Sequence, residues 1–215
     1  MLLVELQQLL GSFYDVPAQH DVRDFLVTDR AYASALGGTQ SDEQLFVAQV
    51  GDEVGVSLYL DAAVLQRLAG ANPMVSLNQA NLADYLTAVE GVSHFVCLAW
   101  NATFDKPVSL LELELQGEID KFVSSAWLLS RQAEGRYPRE LHHVLFNRTR
   151  VDDALAGNRA GMYRAASRYA SCYCRKVAQR FRGDAMAVGA GIWSDLRRFY
   201  RLSLMHKLAH IERSA

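Results

Sequence analysis

The chain of 215 residues is short of lysine, with four, at positions 106, 121, 176 and 207, against eighteen arginines. Proline is as scarce, at four, and glycine numbers only 14, while half of the residues are hydrophobic. That balance excludes a disordered, collagen-like or low-complexity chain and leaves enough apolar mass for a sizeable core. The three cysteines, Cys97, Cys172 and Cys174, are too few and odd in number for a disulfide framework, so a reducing, cytoplasmic compartment is expected. No run of about 18 apolar residues occurs, so neither a transmembrane helix nor a membrane partner is expected. The opening residues carry Glu5 and lack the positive start of a secretory leader, which favours an amphipathic first helix. Walker, Gly-x-Gly-x-x-Gly, Gly-x-Ser-x-Gly and His-Glu-x-x-His signatures are all missing. Familiar nucleotide cradles, the serine-hydrolase elbow and the zinc-protease helix are thereby removed.

What the chain does have is a division of charge that its net charge of -2 conceals. Residues 1–130 hold 5 basic and 17 acidic side chains, whereas residues 131–215 hold 17 basic and 7 acidic. The basic part is almost all arginine, the side chain that forks onto carboxylates and phosphates. Two consequences are expected. The basic part can dock on the acidic part of its own or a neighbouring copy, which makes a homo-oligomer an expected form. Alternatively its arginines meet an anionic partner, either a nucleic acid or an acidic protein surface.

Hydrophobic spacing places helices over residues 2–10, 61–69, 82–90, 110–131, 139–147, 158–182 and 190–212. Strands are expected at 45–49 and 55–60, joined through Gly51-Asp52 by a loop longer than two residues. A third is expected at 92–100, where the near-continuous apolar run suits a strand covered on both faces. Ser109 and Glu112 form a capping-box pattern ahead of the 110–131 helix. The fold class that follows is α+β: a small antiparallel sheet of about three strands packed on helices, with a C-terminal helical bundle. The division falls between an acidic α+β part, 1–131, and a basic all-α part, 132–215, in one continuous globular unit.

Two constellations carry chemistry. Arg164, Arg168 and Arg175 share one face of the 158–182 helix, with Arg182 in the same register, and Arg201 adds charge from the last helix. They are the expected anion-binding residues of a non-enzymatic interaction or regulatory protein, with affinity that falls steeply as salt rises. The rival is a metal-dependent enzyme on the C-terminal helices. His206 and His210 lie four apart, Glu140 and His143 form a Glu-x-x-His pair, and the four are candidate metal ligands. Glu114 and Glu118 are also four apart on the capped helix, but a single Glu-x-x-His does not complete the di-iron bundle pattern. His94 precedes Cys97 by three, which in a strand would point them to opposite faces.

Overall fold

A computed structural model of the chain describes residues 2–38, 40–51, 53–147, 158–183 and 190–213. The expected α+β class is found. Helix α1 (Leu2–Tyr14) leads through a 3-10 turn (Val22–Phe25) into β1 (Leu26–Val27) and a short α2 (Arg30–Ala35). The hairpin β2 (Glu43–Val50) and β3 (Glu53–Leu60) follows, then α3 (Ala62–Gly70), α4 (Leu82–Ala102) and α5 (Leu110–Gln132). Helices α6 (Leu141–Asn147), α7 (Asn158–Gly183), α8 (Ala190–Tyr200) and α9 (Leu204–Glu212) complete the described residues.

The sheet has three strands in the order β1-β3-β2. It is mixed rather than purely antiparallel, because the two-residue β1 pairs parallel with β3, Leu26 opposite Leu58. Strands β2 and β3 are antiparallel from Glu43 opposite Leu60 to Val50 opposite Glu53. That register leaves a two-residue connection, shorter than expected, with Gly51 at φ 62° where a side chain would be strained.

Residues 92–100 do not form a third strand; they lie inside α4. The run is apolar nearly all round because α4 is the central helix, packed against α1, α3, α5, β2 and β3. A helix enclosed on every side loses the polar stripe that would identify it. The residue expected to stop it, Gly91, is interior to it.

Helix α5 starts as its cap predicts, with the Ser109 hydroxyl accepting the Glu112 N–H at 3.2 Å. The reciprocal half of the box is replaced, because the buried Glu112 carboxylate accepts from Lys207 Nζ at 2.8 Å instead. The expected single helix over 190–212 is two, α8 and α9, separated by residues 201–203 with Ser203 as the cap position of α9. One hydrophobic cluster runs through the fold, from Leu3 and Leu6 of α1 through Phe122 and Tyr173 to Ile211. No helix among the described residues is long and apolar enough to cross a membrane.

Candidate metal centre

Helices normally exclude interior glycine, which costs about 1 kcal/mol relative to alanine. Helices α4 and α5 each keep one where another chain segment presses close. A Cβ at Gly91 would stand 2.9 Å from Leu58 Cδ1 and 3.0 Å from Glu43 Cγ. A Cβ at Gly117 would stand 3.0 Å from His94 Nε2. Gly91 thus lets the sheet bring Glu43 down onto α4, and Gly117 lets α5 bring Glu114 alongside His94.

The result is a polar cluster at the floor of a cleft of about 610 Å³, whose walls include Leu45, Val47, Thr87, Leu110, Leu113 and Tyr163. Glu90 and His94 are four apart on α4 and share a face. Among the described residues, Glu90, His94 and Glu114 are the one group of three or more potential ligands whose donor atoms all lie within 4.8 Å of one another. His94 Nδ1 lies 3.4 Å from Glu43 Oε1, an ion-pair contact too poorly aligned for a hydrogen bond. His94 is only 5% exposed, and its Nε2 has no hydrogen-bond partner among the described residues. On the outer side, Lys121 Nζ holds Glu90 Oε2 at 3.2 Å and Glu118 Oε1 at 2.8 Å.

The electrostatics show a shortage of positive charge. Among the described residues Glu43, Glu90, Glu114 and Glu118 face two positive groups, Lys121 and His94, so full ionisation with a protonated ring leaves two negative charges unbalanced. Protons answer part of that deficit. Burial disfavours a charged His94 ring, but Glu43, Glu114 and Glu90 together outweigh it and hold its pKa up at about 9. Burial, with Glu90 and Glu43 adding to it, pushes the Glu114 carboxyl up to about 7 against the pull of His94. Burial also raises Glu43. Glu90 is half-buried, and Lys121 and His94 outweigh the desolvation that remains and keep it below the ordinary glutamate value. A divalent cation would supply the missing charge directly and displace those protons.

A second polar cluster lies further along α5 and is closed. Asp120 accepts from Tyr14 Oη, from Ser93 Oγ at 2.6 Å and from Gln116 Nε2 at 2.9 Å. Three donors satisfy its carboxylate, and burial pushes its pKa up to about 6 despite them. Asp120 is 2% exposed, so the cluster is an internal fastening.

The expected metal ligands of the C-terminal half do not come together. His206 is exposed and its Nδ1 lies 2.9 Å from Ser203 Oγ. His210 is half-buried, set against the Tyr173 and Phe199 rings, and burial lowers its pKa. His143 is exposed and pairs with Asn147 at 3.0 Å, and Glu140 lines a separate, mostly apolar groove with Pro138 and Val144. Of the arginines, Arg164, Arg168 and Arg175 are exposed along α7 as the spacing requires. The Arg182 side chain lies outside the described residues. Arg201 does not join that row, because its guanidinium donates to the Tyr14, Asp15 and Arg197 carbonyls and lies over the Trp100 ring.

The Glu90/His94 pair is the part that sequence reasoning missed. Its signal, a Glu and a His four apart, is visible only if the helix is carried through Gly91. His94 and Cys97 likewise sit on one helix, where Cys97 is buried and its thiol pKa is pushed up to about 12, chiefly by that burial. It is an inert thiol. Comparison with protein-family models, with curated proteins and with solved structures finds no match to this chain.

Proposed function

We propose that the protein binds one divalent transition-metal ion, manganese, iron or zinc, through Glu90, His94 and Glu114, and presents it to the cleft as a metal-dependent enzyme. The observation that carries this is the convergence of two carboxylates on a buried histidine whose Nε2 has no other partner. A mixed imidazole and carboxylate donor set suits those ions. Glu43 Oε1, 3.4 Å from Nδ1, lies on the side where metal-bound histidines commonly have an orienting carboxylate, and a small turn of the ring would let Nδ1–H donate to it. The setting favours catalysis over a structural role. Structural zinc sites are closed and rich in cysteine, whereas this cluster has no cysteine and opens on a cleft large enough for an organic substrate. A bound ion would act there as a Lewis acid or lower the pKa of a water. Among the described residues the lining of the cleft includes Asp42, Glu43, Glu90 and Glu114 and neither lysine nor arginine, which favours neutral or cationic substrates over phosphorylated ones.

Elemental analysis of protein purified without chelator, followed by titration of the chelator-treated protein with Mn²⁺ and Zn²⁺, tests the proposal. One ion per chain is expected, lost in His94→Ala and Glu114→Gln. Metal-free protein that takes up neither ion at submillimolar concentration would leave the cluster as a buried ion-pair network and overturn the assignment.

A further inference from the structure

Helix α7 carries seven basic side chains and no acidic one in 26 residues. A solvated helix face ordinarily intersperses both signs, because neighbours three and four apart then pair. Here no such pairing is available from the helix itself, and the neighbouring elements supply little. Arg180 is matched by Asp195 of α8, and Lys176 donates to the Ile211 carbonyl at 3.4 Å. Arg164, Arg168 and Arg175 are exposed and make no ion pair with any described residue, while Arg168 is additionally steadied over the Tyr169 ring at 5.0 Å. Their spacings of four and seven residues keep them within one narrow strip, about 6 and 10 Å apart along the axis.

We propose that this strip is a binding surface for the phosphate backbone of a nucleic acid. The charge is complementary and nearly all guanidinium, the group whose fork matches phosphate oxygens. An acidic protein partner is the weaker fit, because protein interfaces are built around an apolar core. None of the exposed large hydrophobic side chains, Tyr32, Leu36, Val47, Val54, Val75, Phe104, Leu110 and Met205, belongs to α7. The rest of the molecule sharpens the preference, since residues 1–130 are strongly acidic and would repel a polyanion from the faces they form. Binding through three phosphate contacts is independent of sequence.

Fluorescence anisotropy with a labelled 20-base-pair duplex and the corresponding single strand, using the full chain, tests this. Three contacts predict that raising salt from 50 to 200 mM weakens duplex binding about 40-fold and single-strand binding about 20-fold. The triple variant R164A/R168A/R175A is expected to lose binding at 50 mM salt while melting at the unaltered temperature. The corresponding triple lysine variant is expected to retain most of it. Absence of binding at 50 mM salt, a salt response near zero in the unaltered protein, or binding that survives the triple alanine change would overturn the proposal. So would equal affinity for polyglutamate, which would identify the partner as an acidic protein. The surface and the metal centre fail separately, because none of the three arginines is a ligand candidate.

Discussion

Replacing Glu114 by glutamine should make the metal-free protein more stable while removing its capacity for metal. The carboxyl is buried and its folded pKa is raised from 4.5 to about 7, chiefly by that burial. An acid whose folded pKa lies above its unfolded one favours the native state while neutral, so stability is lost as pH rises from the unfolded value through the folded one. At pH 8 the cost of holding the charge in place is about 3 kcal/mol, at 1.36 kcal/mol per unit, a ceiling that already includes the favourable contact with His94. At pH 5 it is under about 1 kcal/mol by the same relation. Glutamine keeps the volume and carries no charge. For a chain of this length Glu114→Gln should therefore raise the melting temperature at pH 8 by about 6–12 °C in the presence of chelator, and by a small fraction of that at pH 5. Asp120 shifts in the same direction in both proteins and cancels from the comparison. With Mn²⁺ or Zn²⁺ at a hundred times its dissociation constant, the unaltered protein should gain about 2.7 kcal/mol and the variant nothing, so the difference narrows or closes. Scanning calorimetry at the two pH values, with and without metal, reads all four cases. A variant less stable by the same amount at both pH values would refute the reasoning, since it would make the Glu114 carboxylate a needed hydrogen-bond acceptor.

Metal affinity should climb with pH, because the ion must displace a proton from His94, held at about 9, and from Glu114, held at about 7. Competition against a fluorescent chelator at pH 6, 7 and 8 should show the steepest rise below 7, and a flat profile would exclude both residues as ligands. Gly117→Ala should gain about 1 kcal/mol of helix propensity and lose about 1–3 kcal/mol to overpacking against His94 Nε2, with metal uptake reduced or abolished. Uptake unchanged in a folded variant would show that Nε2 is not the liganding nitrogen. Lys207→Ala should cost about 3–5 kcal/mol, because it strands the buried Glu112 carboxylate, whereas the paired change Lys207→Met/Glu112→Leu should recover most of that loss. Urea unfolding compares the two, and equal losses would mean that the pair contributes packing rather than charge balance.

Amphipathic periodicity made α1 and α7 legible, because each has a wet side that sets off its buried stripe, while α5 was legible because its apolar stripe alternates with polar residues, Glu112, Gln116, Asp120 and Ser124, that are themselves buried. The hairpin was legible from alternation around Gly51. Helix α4 was not, and the reason is its position: nothing polar interrupts residues 95–100 when protein covers every face. An interior glycine then reads as a terminus, although Gly91 is there to admit Glu43 and Leu58. A helix ended at Gly91 puts Glu90 and His94 on different elements, whereas His206 and His210 share a helix at a spacing that the fold does not turn into a site. Glu114 stood out only as half of a Glu/Glu pair, since no local pattern reports what faces it from another helix. The third strand escaped notice for a different reason: two residues hydrogen-bonded to β3 are too few to leave a pattern. Arg201 belongs to the expected anion-binding set by its charge alone, while two of its three carbonyl partners lie nearly 190 positions away in sequence.

The tight connection at Gly51 has an effect far from the turn itself. Glu43 sits at the opposite end of β2, eight positions before that bend, and a strand alternates its faces residue by residue. Inserting one amino acid at the bend and slipping the ladder by a step would rotate Gln44 toward His94 and send the carboxylate outward, with every helix still in place. The length of a surface loop therefore governs which chemical group meets the imidazole.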